Sequence, residues 1–120
     1  MDVRRCCPED PEAKAEWEED LANQLASLPS ETKIDELSEI LHALSHPIRL
    51  KIAFLLLNQD QCVCELVQIT KKAPNLVSHH LMVMRKSGLV SSYMQSGEKY
   101  YKLQENIIPL LKDIENLNSK

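Results

Sequence analysis

The apolar residues of this chain keep one period up to Lys86 and another beyond Gly88, and that switch limits the fold more than any other feature. Ile34, Leu37, Ile40, Leu41 and Leu44 recur at helical spacing, and Ile48, Ile52, Leu55 and Leu56 do so again after Ser45-His46-Pro47. A residue before proline avoids the helical region while proline suits a first turn, so that triplet separates two helices. Beyond Gly88 the chain alternates: Leu89–Met94 and Glu98–Leu103 read as two strands around the tight turn Gln95-Ser96-Gly97. Asn106–Leu117 then returns to helical spacing through Ile107, Leu110, Leu111, Ile114 and Leu117.

The remaining segments complete a helical order with one hairpin. Residues 1–15 carry Pro8 and Pro11 amid charge and read as a poorly ordered arm that holds Cys6 and Cys7. A short acidic helix is expected over Glu16–Leu28, with Trp17, Leu21, Leu25 and Leu28 as its apolar stripe and Pro29-Ser30 as its stop. Thr32 offers the next N-cap, with Asp35 three residues on. Two short helices follow at about Val63–Thr70 and Pro74–Lys86, the second ended by Ser87-Gly88. The expected organisation is a flexible acidic arm over 1–31 and a domain over 32–120. Two short helices joined by a small turn and followed by a β-hairpin make a mostly α (α+β) winged helix-turn-helix, whose second helix is the candidate for the major groove.

Charge distribution agrees with that reading although the net charge of −4 does not. Residues 8–39 hold eleven acids and two bases, whereas residues 71–102 hold Lys71, Lys72, Arg85, Lys86, Lys99 and Lys102 against Glu98 alone. Affinity for DNA follows local cations that displace condensed counterions, so the second segment matters and the total hardly does. No stretch reaches the roughly 18–20 apolar residues of a membrane span, and the N-terminus lacks the apolar core of a secretory signal. A cytoplasmic location without membrane contact is expected. Four cysteines in that compartment argue for metal or redox chemistry ahead of a disulfide framework.

Several motifs, in order and in one register, resemble the ArsR/SmtB metalloregulators over about Leu37 to Leu103. They are Ala43-Leu44-Ser45-His46-Pro47-Ile48-Arg49-Leu50-Lys51-Ile52, the metal-box-like Cys62-Val63-Cys64-Glu65-Leu66, Val77-Ser78-His79-His80-Leu81, Lys86-Ser87-Gly88-Leu89-Val90, and Tyr100-Tyr101-Lys102-Leu103. The resemblance implies a homodimer joined through its N- and C-terminal helices. It implies binding to an imperfect inverted repeat in double-stranded operator DNA, repression without metal and release with it. Carried onto this chain, Asn75, Leu76, Ser78 and His79 fall on the exposed face of the recognition helix, with His80 turned inward. Lys71, Lys72 and Arg85 flank that helix, and Lys99 and Gln95 lie on the wing for phosphate or minor-groove contacts.

Cys62 and Cys64 carry the sharpest chemical signal. They sit at the expected start of the first helix of the DNA-binding unit, where helix dipole and free N–H groups favour thiolate over thiol. Two sulfurs do not complete a site: zinc and cadmium usually take four ligands, lead three or four. In the cadmium/lead-sensing branch of the resembled family an N-terminal cysteine arm supplies the rest from the other subunit, a role that falls here to Cys6 and Cys7. Those two are adjacent rather than spaced, which leaves open a three-thiolate site using one of them. Gln104 to Lys120 contains no histidine, so the terminal-helix zinc site of the family is not expected. A soft divalent ion (cadmium, lead or zinc) is then the expected inducer, with no organic cofactor or small organic substrate. The alternative on the same scaffold is a thiol/disulfide redox sensor built on Cys62 and Cys64 or on Cys6 and Cys7. An enzyme is not expected, since no C-x-x-C on a strand-to-helix turn, nucleophile set or phosphate-binding glycine loop occurs.

Overall fold

The computed structural model describes residues 7–117. Among these, six α-helices and three short strands follow the order α1 (Pro11–Ser27), α2 (Glu31–Leu44), α3 (Pro47–Asn58), β1 (Gln61–Cys62), α4 (Val63–Thr70), α5 (Pro74–Lys86), β2 (Val90–Gln95), β3 (Glu98–Leu103) and α6 (Ile108–Glu115), with a 3-10 turn at Glu105–Ile107. The chain divides into two compact units that meet inside α2, one up to Ile34 and one from Asp35 onward.

In the first unit α1 begins earlier than its apolar stripe suggests. Asp10 caps it by accepting from the Ala13 amide at 3.0 Å, and Pro11 occupies the first turn, where its missing N–H costs nothing. Residues 11–15, expected in a poorly ordered arm, are therefore helical. The next helix is capped by Ser30, whose Oγ accepts from the Lys33 amide at 3.1 Å, and not by Thr32. No residue of α1 is buried, and Leu21, Leu25 and Leu28 stay exposed.

The second unit holds the core. Ile52 of α3, Leu66 of α4, Val77, Leu81 and Met84 of α5, Leu89, Val90 of β2 and Leu111 of α6 are fully buried and form one cluster with Ala43, Leu44 and Leu103. His46 caps α3 by accepting from the Ile48 amide at 3.3 Å, with Pro47 in its first turn. The end of α5 is a Schellman motif: the Gly88 amide returns to the Arg85 carbonyl (3.1 Å) and the Leu89 amide to the Met84 carbonyl (2.9 Å). Gly88 makes this possible at φ +84°, and Leu89 beyond it enters the core.

The hairpin turns at Ser96-Gly97, both with positive φ, the two-residue geometry that matches strand twist. Its register runs from Val90↔Leu103 to Gln95↔Glu98. The expectation of two strands is corrected to three: Gln61 and Cys62 pair antiparallel with Tyr101 and Tyr100, giving the order β1-β3-β2. A two-residue strand has no periodicity of its own; it exists because β3 offers an edge. Among the described residues no single helix is long and apolar enough to cross a membrane.

Candidate nucleic-acid interface and thiol pair

The reading unit is set by the α4–α5 turn. Thr70, buried at the end of α4, donates its hydroxyl to the Leu66 carbonyl (2.7 Å) and accepts from the Lys72 amide (3.3 Å). Lys71 takes the left-handed conformation (φ 60°, ψ 27°), and its amide closes on the Val67 carbonyl at 2.9 Å. The chain thus turns within three residues, and α5 starts at Pro74. Thr70 gave no signal in the sequence beyond its position at the end of an apolar run.

On α5 the inward residues Val77, His80, Leu81 and Met84 follow an i, i+3, i+4, i+7 pattern. The opposite face carries Asn75, Ser78, His79 and Met82, with Leu76 beside it, and all are exposed. Met82 was not singled out from sequence; its helical phase relative to Ser78 and His79 puts it on the same stripe. Lys71 and Lys72 are exposed at the start of this face, Arg85 and Lys86 at its end. At the wing Gln95 and Lys99 are exposed, with Lys99 Nζ 5.7 Å from the centre of the Tyr101 ring. A helix face free of acids, bounded by cations at both ends and flanked by a basic hairpin, can sit against a phosphate backbone while polar side chains reach base edges.

Behind that face lies a second cluster. Arg49 of α3 donates from Nε to the Ala43 carbonyl at 2.7 Å and from Nη1 to His80 Nδ1 at 3.2 Å. The His46 ring lies 4.7 Å and the His79 ring 5.8 Å from that of His80. Burial, then the neighbouring His46, Arg49 and His79, pull the His80 pKa below its ordinary value near 6.5.

The thiols are placed unequally. Cys62 is the N-cap of α4, 9% exposed, on the strand paired with Tyr100; its amide donates to Glu65 Oε1 at 2.9 Å. Cys64, in the first turn of α4, is exposed. Both carry free thiols. Cys7 belongs to the other unit, and Cys6 lies outside the described residues. Among the described residues no group of three or more His, Cys, Asp or Glu side chains comes together to hold a metal ion. The described residues thus place two thiols, one buried and one exposed, at the start of α4.

On the wing's outer side Tyr93 donates to Asp60 at 2.7 Å and stacks on Tyr100 at 5.9 Å, which fastens the hairpin to the loop ahead of β1. The Asp60 carboxylate holds the Tyr93 phenol above its ordinary value near 10.

Comparison with known proteins agrees with this architecture. Residues 46–92 match the model of the bacterial regulatory protein arsR family. An uncharacterized HTH-type transcriptional regulator of Methanocaldococcus jannaschii, MJ1325, is 31% identical over 71% of this chain and 98% of its own length. The transcriptional repressor SmtB homolog of Synechocystis is 34% identical over 59% of this chain, which spans about half (54%) of that relative. The cadmium resistance transcriptional regulatory protein CadC of Lactococcus lactis is 32% identical over 69% of this chain and 71% of itself. Among solved structures, the homodimeric winged helix-turn-helix DNA-binding domain Mb0332 of Mycobacterium bovis superposes with a TM-score of 0.69 at 22% identity, over 77% of this chain and 89% of that one. The transcriptional repressor BigR of Xylella fastidiosa does so at 0.65 and 28% identity, over 72% and 90%. With the α4–α5 turn, the three-stranded wing sheet and these relatives together, the chain belongs to the arsR family of transcriptional regulators and is a winged helix-turn-helix DNA-binding protein rather than an enzyme.

Proposed function

We propose that this chain is a cytoplasmic repressor that holds double-stranded operator DNA as a homodimer and lets it go when a soft metal ion is captured by cysteine thiolates. The observation that carries the reading is the position of Cys62 and Cys64. They form the joint between β1, which pairs with the wing strand, and α4, which leads into the reading turn. The cadmium named for one relative supports a sulfur-binding inducer; cadmium, lead and zinc all accept such donors.

In this reading Asn75, Leu76, Ser78 and His79 face the major groove, Lys71, Lys72 and Arg85 hold flanking phosphates, and Lys99 with Gln95 reaches the backbone or minor groove from the wing. Leu21 and Leu25 of α1, its C-cap Leu28, and Ile34, Leu37 and Leu41 of α2 remain exposed in the single chain, which favours a second copy covering them. Cys62 and Cys64 supply two thiolates, and Cys6 and Cys7 on the arm of the second copy, or one of them in a three-thiolate site, supply the remainder. When bound, the ion adds a Lewis acid shared among thiolates. Cys62, 9% exposed, joins such a site only by bringing its sulfur out of burial. That movement strains the β1–β3 pairing and the Glu65 cap, so the wing and the reading turn change together. Thiol protons must leave for this to happen, so the response weakens as pH falls.

The test is operator release. Duplex DNA from upstream of the protein's own gene is bound by the wild type, by Cys62→Ser and by Cys64→Ser, then titrated with cadmium while thiolate-to-metal ultraviolet absorption is recorded. Wild type is expected to dissociate and both variants to stay bound at the same cadmium concentration. Release of either variant at the wild-type concentration refutes the site. Release by oxidant without metal, with matching loss of free thiols, assigns the same cysteines to redox sensing instead.

A further inference from the structure

Two histidines adjacent in sequence point in opposite directions on α5: His79 is exposed on the reading face and His80 is buried. His80 Nδ1 faces the Arg49 guanidinium, which can only donate, so Nδ1 must be the acceptor and the ring a neutral Nε2–H tautomer. Among the described residues that buried Nε2 has no hydrogen-bond partner. The guanidinium spends its Nε on the Ala43 carbonyl near the end of α2. One planar side chain on α3 therefore joins α2 to the reading helix, 31 residues away in sequence.

We propose that Arg49 and His80 are positioning residues for DNA reading: the neutral His80 ring, held by Arg49, fixes the rotation of α5 relative to α2 and α3 and so sets how the Ser78–His79 face is presented. This rests on the DNA-binding reading above. A proton on His80 would place an N–H at the atom that now accepts, and a cation against the guanidinium, so the tie holds only while the ring is neutral. The groups facing His80 are His46 and Arg49 from the α3 side and His79 on its own helix, and each of them disfavours that proton. A folded-state value below 6.5 means that the tie is intact above about pH 6.5 and is lost as pH falls from there through the lowered value.

The experiment compares metal-free wild type with His80→Asn and Arg49→Lys. Asparagine keeps an acceptor near the Nδ1 position and does not titrate; lysine keeps the charge but loses the fork that reaches two acceptors. Affinity for the duplex from upstream of its own gene is measured from pH 7.5 to 5.5, with folding checked by circular dichroism. Because His46 and His79 are present in all three proteins, the difference between wild type and His80→Asn isolates His80. The expectation is a wild-type affinity that falls relative to His80→Asn as pH drops below 6.5 through the lowered value, and an Arg49→Lys affinity at least about fivefold below wild type at pH 7.5. A His80→Asn profile parallel to wild type, or wild-type affinity in folded Arg49→Lys, overturns the proposal. Hydrogen exchange on the wild type alone supplies a readout that needs neither DNA nor a variant. Acidification should lower the protection of α5 amides relative to those of α3, and unchanged relative protection refutes the tie. Absence of DNA binding at pH 7.5 would instead refute the function proposed above, while the exchange result still decides the role of Arg49 and His80.

Discussion

The unequal burial of the two thiols makes a quantitative prediction about their reactivity in the metal-free protein. Cys64 is exposed, so an alkylating reagent reaches it directly. Cys62 is 9% exposed, and we predict that a reagent reaches it through an opening that lifts β1 from β3 at the Gln61↔Tyr101 and Cys62↔Tyr100 pairs. That opening also breaks the Cys62 amide bond to Glu65 (2.9 Å) and the Gln61 Nε2 bond to the Leu55 carbonyl (3.1 Å). At about 1 kcal/mol net for each of the two side-chain-anchored bonds, with the short ladder adding a fraction more, the opening costs about 2–3 kcal/mol. Since 1.4 kcal/mol is a factor of ten, Cys62 should react about 30–150-fold more slowly than Cys64. The assay is N-ethylmaleimide labelling of reduced protein carrying Cys6→Ser and Cys7→Ser, quenched over time and quantified by peptide mass spectrometry. Glu65→Ala removes one of the counted bonds and should narrow the ratio about fivefold, the equivalent of about 1 kcal/mol. Labelling of Cys62 within threefold of Cys64, or a ratio unmoved by Glu65→Ala, would refute the account of Cys62 as a buried sulfur released by opening of β1.

Two neighbouring residues on α5 should part company in stability: Leu81→Ala, fully buried, should cost about 2–5 kcal/mol in urea unfolding at fixed protein concentration, whereas Met82→Ala, 48% exposed, should stay within about 1 kcal/mol. Lys72→Gln at the exposed reading turn should weaken binding to specific and random duplexes alike and reduce the slope of log K against log salt by about 0.9, the signature of one lost phosphate contact; an unchanged slope removes Lys72 from the interface.

Much of this protein was legible in its sequence because the signals involved are local. Proline at positions 47 and 74, glycine at 88 and 97 and the change of apolar period are each read from a few neighbouring residues, and they bounded α3, α5 and the hairpin within a residue or two. The same logic misled where two local signals competed: Ser30 and Thr32 both suit an N-cap, and Asp10-Pro11 was read as loop although it caps and opens α1. The features that give the candidate site its character involve partners far apart in the chain, and no window of neighbouring residues contains them. β1 becomes a strand only because β3, almost forty residues later, presents an open edge to it. Cys62 and Cys64 look equivalent in the sequence, yet the fold buries one and leaves the other in solvent. Arg49 was visible only as a motif residue and His80 only as an inward one; packing α3 against α5 brings a five-donor fork to a ring nitrogen that needs one. Sequence alone determined which elements form and where the charge and sulfur lie. Tertiary packing decided which of those groups meet, since hydrogen bonds and burial depend on distance in space.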